Sequence, residues 1–262
     1  MEEALSTTLF DRGRDGLTPT KAAEDLMPVA EEIEEAMTRF ASEAEGLERQ
    51  VSGLIRIACP PDVAEVIVAP LVPELLASHP ALHIEIDPGE AVLDLTRREA
   101  DLALRTVRPV RGDLVVTRLA IVRWVLVASP RVARALGTLR SWAEAPWVGW
   151  GERFSSIAPA RWLATHARGA EPVVRSDSLR LQLALVQKGV GVALVPEPSA
   201  SHYALVPVKT SAALREAVGA WPSDELFLVT HRALRQVPRV RVVWDLLVGR
   251  VGKRLRGRAQ DA

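Results

Sequence analysis

The chain has 262 residues, enough for more than one hydrophobic core, and its 48% hydrophobic and 25% charged residues are typical of a globular protein. Its 33 basic residues balance 33 acidic ones, so no overall charge draws it to nucleic acid or to a membrane surface. The N-terminus is acidic, unlike a secretory signal, and no apolar run approaches the roughly 20 residues of a membrane span. These features predict a cytoplasmic protein with no membrane partner.

The first 18 residues contain a short apolar stretch followed by a tight turn. The turn, residues 11–16, holds two glycines together with Arg12 and Arg14, as the tip of a β-hairpin does. Two interpretations are open. The arginines belong to a solvated surface turn, or they contact DNA phosphates or the minor groove from the end of an arm.

A long helix is predicted from Thr18, as N-cap, and Pro19 to about Gln50. Apolar residues recur along it at alternating intervals of four and three, the spacing of a coiled-coil seam. The seam consists of Leu26, Ala30, Ile33, Met37, Phe40, Ala44 and Leu47. At 1.5 Å per residue the helix would be about 45 Å long. A helix lying on its own body is one reading, and a dimerising helix is favoured.

Pro28 lies inside this pattern and predicts a kink or the true start of the helix. The helix is strongly acidic, so its shaft would repel phosphates. Only its tip is therefore suited to touch DNA.

After residue 53 the chain alternates strands with helices. The stretch 53–62 predicts a first buried strand that is stopped by Pro60 and Pro61 and that contains Cys59, the single cysteine, as a small buried hydrophobe. Further strands are predicted at 83–87, 101–105, 114–119 and 124–128, with helices at 65–78 and 93–98. This alternation predicts a mostly parallel sheet with helices on both faces.

A second α/β unit is predicted to begin near residue 129. Its strands are expected at 147–150, 172–175, 192–195 and 205–208, and its helices at 130–136, 139–144, 159–166 and 178–188. A strand at 225–231 and a helix at 238–251 close the chain. Two such units joined by crossing strands place a ligand cleft between them, at the carboxyl ends of their strands.

Motifs for catalysis or metal binding do not stand out. The five histidines are scattered, and His79 and His83 straddle Pro80, which would break the helix needed to align them. Gly189-Val190-Gly191 follows a helix and precedes a strand, the reverse of a phosphate-binding loop, so we interpret it as a plain turn. We therefore expect no enzyme, no metal and no cofactor.

Short segments along nearly the whole chain follow a recognisable order. Residues 9–12 and 16–20 look like the wing and linker entry of a winged helix-turn-helix, and residues 53–57 like the first strand of an effector domain. Further matches are 99–105, 125–130 and 189–196. In this order and spacing the segments resemble LysR-type transcriptional regulators.

The resemblance implies an α/β fold: a periplasmic-binding-protein-like (type 2) effector domain of two Rossmann-like subdomains, preceded by the wing and the long linker helix. The implied domains are the wing remnant 1–18, the linker 19–52 and the effector domain 53–262, with subdomain I at 53–128 and 225–262 and subdomain II at 129–224. Members sense a small metabolite and alter transcription at a promoter, as homodimers or homotetramers.

Members of the family normally carry about three helices ahead of the wing, including the recognition helix that reads base edges. Residues 1–5 look like the tail of that unit. The resemblance therefore implies that most of the helix-turn-helix is missing, because the true start lies upstream or the product is truncated. The alternative is a stand-alone solute-binding protein without DNA-binding activity.

In such a fold the cleft-facing strand ends and helix starts are the candidate ligand contacts. They are Pro61, Asp62, Arg105, Thr106, Gly151, Arg153, Ser155, Ser176, Asp177 and Ser178. Helix N-termini with Arg105 and Arg153 favour a carboxylate or similar anion, whereas Asp62 would oppose one close to it. For each residue a capping or surface role is an equal alternative.

Overall fold

In the computed structural model, residues 2–13, 16–46, 51–89 and 99–257 are described. A short helix α1 (Glu2–Leu5) precedes the antiparallel strands β1 (Phe10–Gly13) and β2 (Gly16–Pro19). The Glu2 carboxylate accepts a hydrogen bond from the Phe10 amide at 2.9 Å and so ties α1 to the hairpin. The predicted hairpin is confirmed, although Arg14 lies outside the described residues.

The long helix α2 (Lys21–Gly46) starts later than predicted. Thr18 and Pro19 pair with β1, so the N-cap assigned to Thr18 was wrong. The cap is Thr20, whose hydroxyl accepts a hydrogen bond from the Ala23 amide at 3.3 Å. The helix runs through Pro28.

The first lobe is built on parallel strands. β3 (Gly53–Ala58) lies between β4 (Leu82–Asp87) and β5 (Leu102–Arg105). Pro61 occupies the first helical position, so helical structure begins there and not at residue 65 as predicted. It comprises α3 (Pro61–Val63), a π turn (Ala64–Val68), a 3-10 turn (Ala69–Leu71) and α4 (Val72–Ser78). The helix predicted at 93–98 lies outside the described residues.

Two strands carry the chain between the lobes. β6 (Leu114–Ala128) is one continuous strand, so the prediction of two strands was wrong. Its first part pairs with β13 (Ser223–His231) in the first lobe, and residues 124–128 pair with β10 (Val192–Pro196) in the second. Both pairings are antiparallel, so the sheet is parallel inside each lobe and antiparallel at the crossing. The strand order is β4-β3-β5-β13-β6-β10-β8-β9.

The second lobe follows β6. Its helices are α5 (Pro130–Leu136), α6 (Ala158–His166), α7 (Leu179–Gln187), α8 (Glu197–His202) and α9 (Arg215–Gly219). Its other strands are β7 (Thr138–Leu139), β8 (Trp147–Trp150), β9 (Pro172–Ser176), β11 (Val206–Pro207) and β12 (Lys209–Thr210). Helices α8 and α9 were not predicted. The final helix α10 (Pro238–Gly257) returns to the first lobe.

The helix predicted at 139–144 was wrong. Gly137, at φ +62°, ends α5, and the fully buried Leu139 then pairs with Thr210 as a strand. Only a 3-10 turn (Trp142–Glu144) follows. The turn at Gly189-Val190-Gly191 is confirmed between α7 and β10, with Gly189 at φ +85°.

Alternating side chains of the second lobe's sheet build two cores. Leu126 and Leu194 face a cluster with Trp142, Trp147 and Trp162. Val127 and Val195 face the opposite side, against Leu183 and Val186 of α7. The first lobe has an aliphatic core in which Ile55, Leu102 and Leu228 pack with Val240 and Trp244 of α10. Each lobe therefore has its own hydrophobic core, and the space between the lobes is bounded by two packed units.

Candidate functional site

A cavity of about 420 Å³ lies between the lobes, a volume within the range of small-molecule sites. The carboxyl ends of parallel strands meet it from both sides: Pro60 and Pro61 follow β3, Thr106 follows β5, and Trp150 ends β8. The base of the cavity is formed by the two strands that run between the lobes. Val122 and Trp124 of β6 and residues 224–226 of β13 line it there. We call this space the cleft.

Three aromatic rings line the cleft. Trp124 lies edge-on to Trp150, with 6.4 Å between ring centroids, and Trp150 lies edge-on to Phe154 at 5.6 Å. The Trp124 indole N–H donates to Asp224 Oδ2 at 2.8 Å, which fixes the ring on the crossing strands. The buried indole N–H of Trp150 has no hydrogen-bond partner among the described residues. The rings give the cleft a rigid apolar wall.

The charged groups of the cleft are mainly acidic. Asp62, Asp224 and Glu225 line it, and Arg180 is the one cation among the lining residues that the structure describes. Burial raises the pKa of the Asp224 carboxyl, and the hydrogen bond from Trp124 acts in the opposite direction. Glu225 is paired with Arg118 at 2.6 Å.

Four side chains join the lobes beside the cleft, and we call this group the interlobe clasp. Glu65, in the π turn of the first lobe, forms an ion pair with Arg180, with 3.0 Å between Nε and a carboxylate oxygen, and it lies 3.0 Å from His202 Nε2. The Tyr203 hydroxyl donates to the same carboxylate at 3.2 Å. Because the other three residues belong to the second lobe, the clasp must rearrange whenever the lobes move apart.

Four of the ten predicted ligand contacts line the cleft: Pro61, Asp62, Thr106 and Ser178. Ser178 also caps α7, because its hydroxyl accepts from the Leu181 amide at 3.4 Å. The other six surround the cleft without lining it. They are Arg105, Gly151, Arg153, Ser155, Ser176 and Asp177.

Several of these six have structural contacts. Arg105 ends β5 opposite Phe227. Arg153 stacks its guanidinium over the Phe154 ring at 5.1 Å. A Cβ on Gly151 would overlap the Asp177 carboxylate, so this position requires glycine unless Asp177 moves. The Ser176 hydroxyl accepts from the Ser178 amide at 3.1 Å and shapes the entry to α7.

Sequence reasoning missed Trp124, Trp150, Phe154, Arg180 and Asp224. Both tryptophans lie in strands, where an aromatic residue is expected in the core. A signal that could have found Trp124 is the unbroken β-pattern from residue 114 to 128, which has no glycine or proline and predicts one strand long enough to cross between lobes.

The predicted seam of α2 is largely uncovered. Leu26, Ile33, Met37 and Phe40 are 41%, 62%, 65% and 71% exposed, and Ala30 is exposed as well. The Ala44 side chain and Leu47 lie outside the described residues. The opposite face of the helix is in contact with the body, since Thr38 is 5% exposed and α2 lies against a 3-10 turn (Arg232–Leu234).

Glu35, Asp113 and His231 meet at this contact, with ligand atoms within 4.8 Å of one another. The Asp113 carboxylate is paired with Arg232 at 2.6 Å, and His231 Nδ1 accepts from the Ala233 amide at 3.3 Å. These partners account for the cluster as a polar contact between α2 and the first lobe. At the other end of α2, Arg12 lies in β1 and its side chain is outside the described part of the chain.

Comparison with known proteins assigns the body to a family. Residues 48–252 match the LysR substrate binding domain. The Mau operon transcriptional activator of Paracoccus denitrificans is 24% identical over 75% of this chain and 66% of its own length. An uncharacterized HTH-type transcriptional regulator of Haemophilus influenzae is 28% identical over 52% of this chain and 48% of its own. The chain thus spans less than two thirds of the length of these curated relatives.

A solved structure shares the fold. CrgA, a LysR-type transcriptional regulator from Neisseria meningitidis, superposes with a TM-score of 0.65 at 20% identity, over 96% of this chain and 86% of that one. The bilobed α/β architecture is therefore that of LysR regulatory domains, the type 2 periplasmic-binding-like fold. Within the described residues, no helix is long and apolar enough to cross a membrane.

Proposed function

The chain belongs to the LysR family, and we propose that it works as a cytoplasmic transcriptional regulator that binds a small metabolite in the cleft. The observation that carries the proposal is the cavity of about 420 Å³ lined from both lobes and from the strands that cross between them. A ligand bound there contacts all three parts at once, so its binding energy can shift the lobes relative to each other.

We propose that α2 pairs two copies of the chain. The supporting observation is the separation of its two faces: Thr38 is buried on the body, while Ile33, Met37 and Phe40 remain uncovered. A second α2 would cover this heptad-spaced seam as in a coiled coil. Two paired α2 helices would hold two effector domains in one dimer. The two-fold symmetry of such a dimer matches the two half-sites that dimeric regulators bind on DNA.

DNA contact is proposed for the hairpin tip, through Arg12 and Arg14. The supporting feature is its position at the far end of an acidic helix, where only the tip favours phosphates. Contacts of this kind position a protein on DNA, whereas sequence is read by contacts to base edges.

The alternative is a solute-binding protein that shares the body. A solute-binding protein would not need a long helix with an uncovered heptad seam. The presence of α2 therefore favours the transcriptional regulator over the solute-binding protein. We propose no catalytic role, because the relatives that match the body are transcriptional regulators.

A fluorescence-monitored screen of metabolites tests the proposal. Six of the seven tryptophans lie at residues 124–221, and Trp124 and Trp150 line the cleft. A ligand should change the intrinsic fluorescence and raise the unfolding temperature of the wild-type chain, and Trp150→Ala should weaken binding about tenfold or more. Trp244→Phe, a change in the core of the first lobe, is the matched control. Equal binding by Trp150→Ala would place the ligand outside the cleft.

A further inference from the structure

Proline rings form part of the lining of the cleft. Five prolines line it: Pro60, Pro61, Pro159, Pro196 and Pro198. Pro61 is the first residue of α3, and Pro159 is the second residue of α6. Pro196 directly precedes α8, and Pro198 is the second residue of that helix. Three helices therefore begin at the cleft, and each has proline in its first turn.

These prolines change what the helix starts can bind. The start of a helix usually favours an anion, because its first N–H groups have no partner within the helix. A proline has no N–H and presents ring carbons in its place. At α3, α6 and α8 apolar surface thus replaces some of the donors that an anionic ligand would use. The start of α7 lines the cleft without a proline and retains N–H groups for a weakly polar acceptor.

The charged side chains of the lining are engaged with other groups. Arg180 is paired with Glu65 at 3.0 Å, and Glu225 is paired with Arg118 at 2.6 Å. Asp62 also interacts with another group. A carboxylate ligand would have to take Arg180 away from Glu65 in the interlobe clasp. A ligand without charge leaves all these contacts in place.

The environment of Asp224 indicates that the cleft disfavours charge. Burial raises the pKa of this carboxyl, even though the Trp124 indole N–H donates to it at 2.8 Å. The same loss of hydration would oppose a charged ligand of either sign that entered without a partner.

Aromatic rings provide the main surface for an uncharged ligand. Trp124 and Trp150 lie edge-on to each other with 6.4 Å between centroids, and Phe154 lies 5.6 Å from Trp150. A flat ring gains contact area against such a wall and pairs favourably with it in offset or edge-on geometry.

We propose that the cleft selects an uncharged ring compound, with its ring against Trp150 and Phe154 and one carbonyl or hydroxyl oxygen towards the start of α7. The proposal rests on the function proposed above, because it names the ligand class of the same cleft. It differs from the anion that Arg105 and Arg153 favoured in the sequence, since neither arginine lines the cavity.

Three probes of similar size and different charge test the proposal on the full chain. They are the neutral acetophenone, the anionic benzoate and the cationic benzylammonium, each titrated at pH 7 by calorimetry. We expect acetophenone to bind at least about tenfold more tightly than either ion. Trp150→Ala should weaken acetophenone about tenfold, because it removes a ring of the wall.

Glu65→Gln tests how the cleft excludes anions. This change removes the carboxylate partner of Arg180, so benzoate should gain affinity relative to acetophenone by about fivefold or more. The ratio of the two affinities is the measured quantity, since a change in lobe opening would affect both probes. The matched control is Glu74→Gln, which breaks the pair with Arg250 within the first lobe and should leave the ratio unchanged.

The outcomes separate the two proposals. If benzoate or benzylammonium binds as tightly as acetophenone, or if no probe binds, the selection of an uncharged ring compound is wrong. The cleft remains a ligand site in these cases if a metabolite from the fluorescence screen binds the wild type and loses affinity in Trp150→Ala. Acetophenone binding that Trp150→Ala leaves intact counts against the cleft itself and therefore against both proposals.

Discussion

The seam of α2 and the cleft are two apolar surfaces that the described chain leaves uncovered, and they differ in shape. The seam is a convex stripe along one helix, with Phe40 71% exposed. The cleft is a concave space of about 420 Å³, in which Trp124 is only 5% exposed. A convex stripe is covered by another macromolecule, whereas a concave space of this size takes up a small molecule.

The difference also extends to charge. The seam runs along a helix whose exposed flanks are rich in glutamate, which favours solubility before pairing. The cleft has its carboxylates inside, beside the aromatic rings. Surface charge of the first kind affects how proteins associate, whereas charge inside a cleft affects which small molecules fit it.

The largest effect is expected when the seam is made polar. Phe40→Glu replaces an exposed aromatic with a carboxylate that would face its own copy across a two-fold axis, so it should raise the dimer dissociation constant about 100-fold or more. Sedimentation velocity over a range of protein concentrations measures this change.

Arg39→Glu is the control for that measurement. It introduces the same side chain one residue away, at an exposed position off the seam. If both variants weaken pairing equally, net charge and not the seam governs association. If neither does, the seam is not the pairing surface.

A smaller effect is expected at the interlobe clasp. Glu65→Gln removes the ion pair with Arg180 and changes the contact with His202, and it should lower the free energy of unfolding only slightly because the side chains of this group are partly exposed. The lobes should nevertheless separate more readily and expose the rings of the cleft. Acrylamide quenching of tryptophan fluorescence should therefore increase.

Glu74→Gln is the matched control, since it breaks the 2.6 Å pair between Glu74 and Arg250 within the first lobe. Glu74→Gln should lower the free energy of unfolding by a similar amount, but it should not increase the acrylamide quenching of tryptophan fluorescence. Equal quenching in the two variants would mean that the clasp does not hold the lobes together.

The smallest effect is a pH dependence at Asp224. Because the folded-state pKa of this carboxyl is raised, the native protein binds its proton more readily than the unfolded chain, and stability falls as pH rises through the folded pKa. Asp224→Asn should therefore be more stable than wild type above that pKa, by less than about 1 kcal/mol because the site is partly screened by solvent.

Thermal unfolding of the unliganded proteins at pH 4 and pH 8 checks this sign. The difference in Tm between Asp224→Asn and wild type should be larger at pH 8. If Asp224→Asn instead becomes less stable than wild type as the pH rises, the charged carboxylate stabilises the folded protein and the predicted sign is wrong.

Much of the fold could be predicted from local pattern. The strand at 147–150 and the helix at 130–136 have the bounds that apolar runs and prolines indicate. The burial of Cys59 was also predicted, and burial raises the pKa of its thiol to about 12. These features depend on residues close in sequence, whose periodicity and propensity act together.

The rest depends on long-range pairing. The prediction split β6 into two strands, although no residue at 120–123 interrupts it. Its two parts pair with different strands, β13 in the first lobe and β10 in the second, and this pairing depends on residues far apart in the sequence. The position of the cleft followed from the strand ends. Two of its three rings, Trp124 and Trp150, are strand residues that resemble core residues in the sequence, and only the placement of the two lobes shows that they line the cleft. Side-chain roles at such a site are set by tertiary packing.

The central claim is that the uncovered seam of α2 joins two copies while the cleft stays available to a small molecule. Sedimentation equilibrium of the unmodified chain at micromolar concentrations tests it most directly. The account predicts a species of twice the 28.6 kDa chain mass, or a multiple of that pair, at concentrations where Phe40→Glu is a single chain. A wild-type protein that remains a single 28.6 kDa chain at every concentration would contradict it.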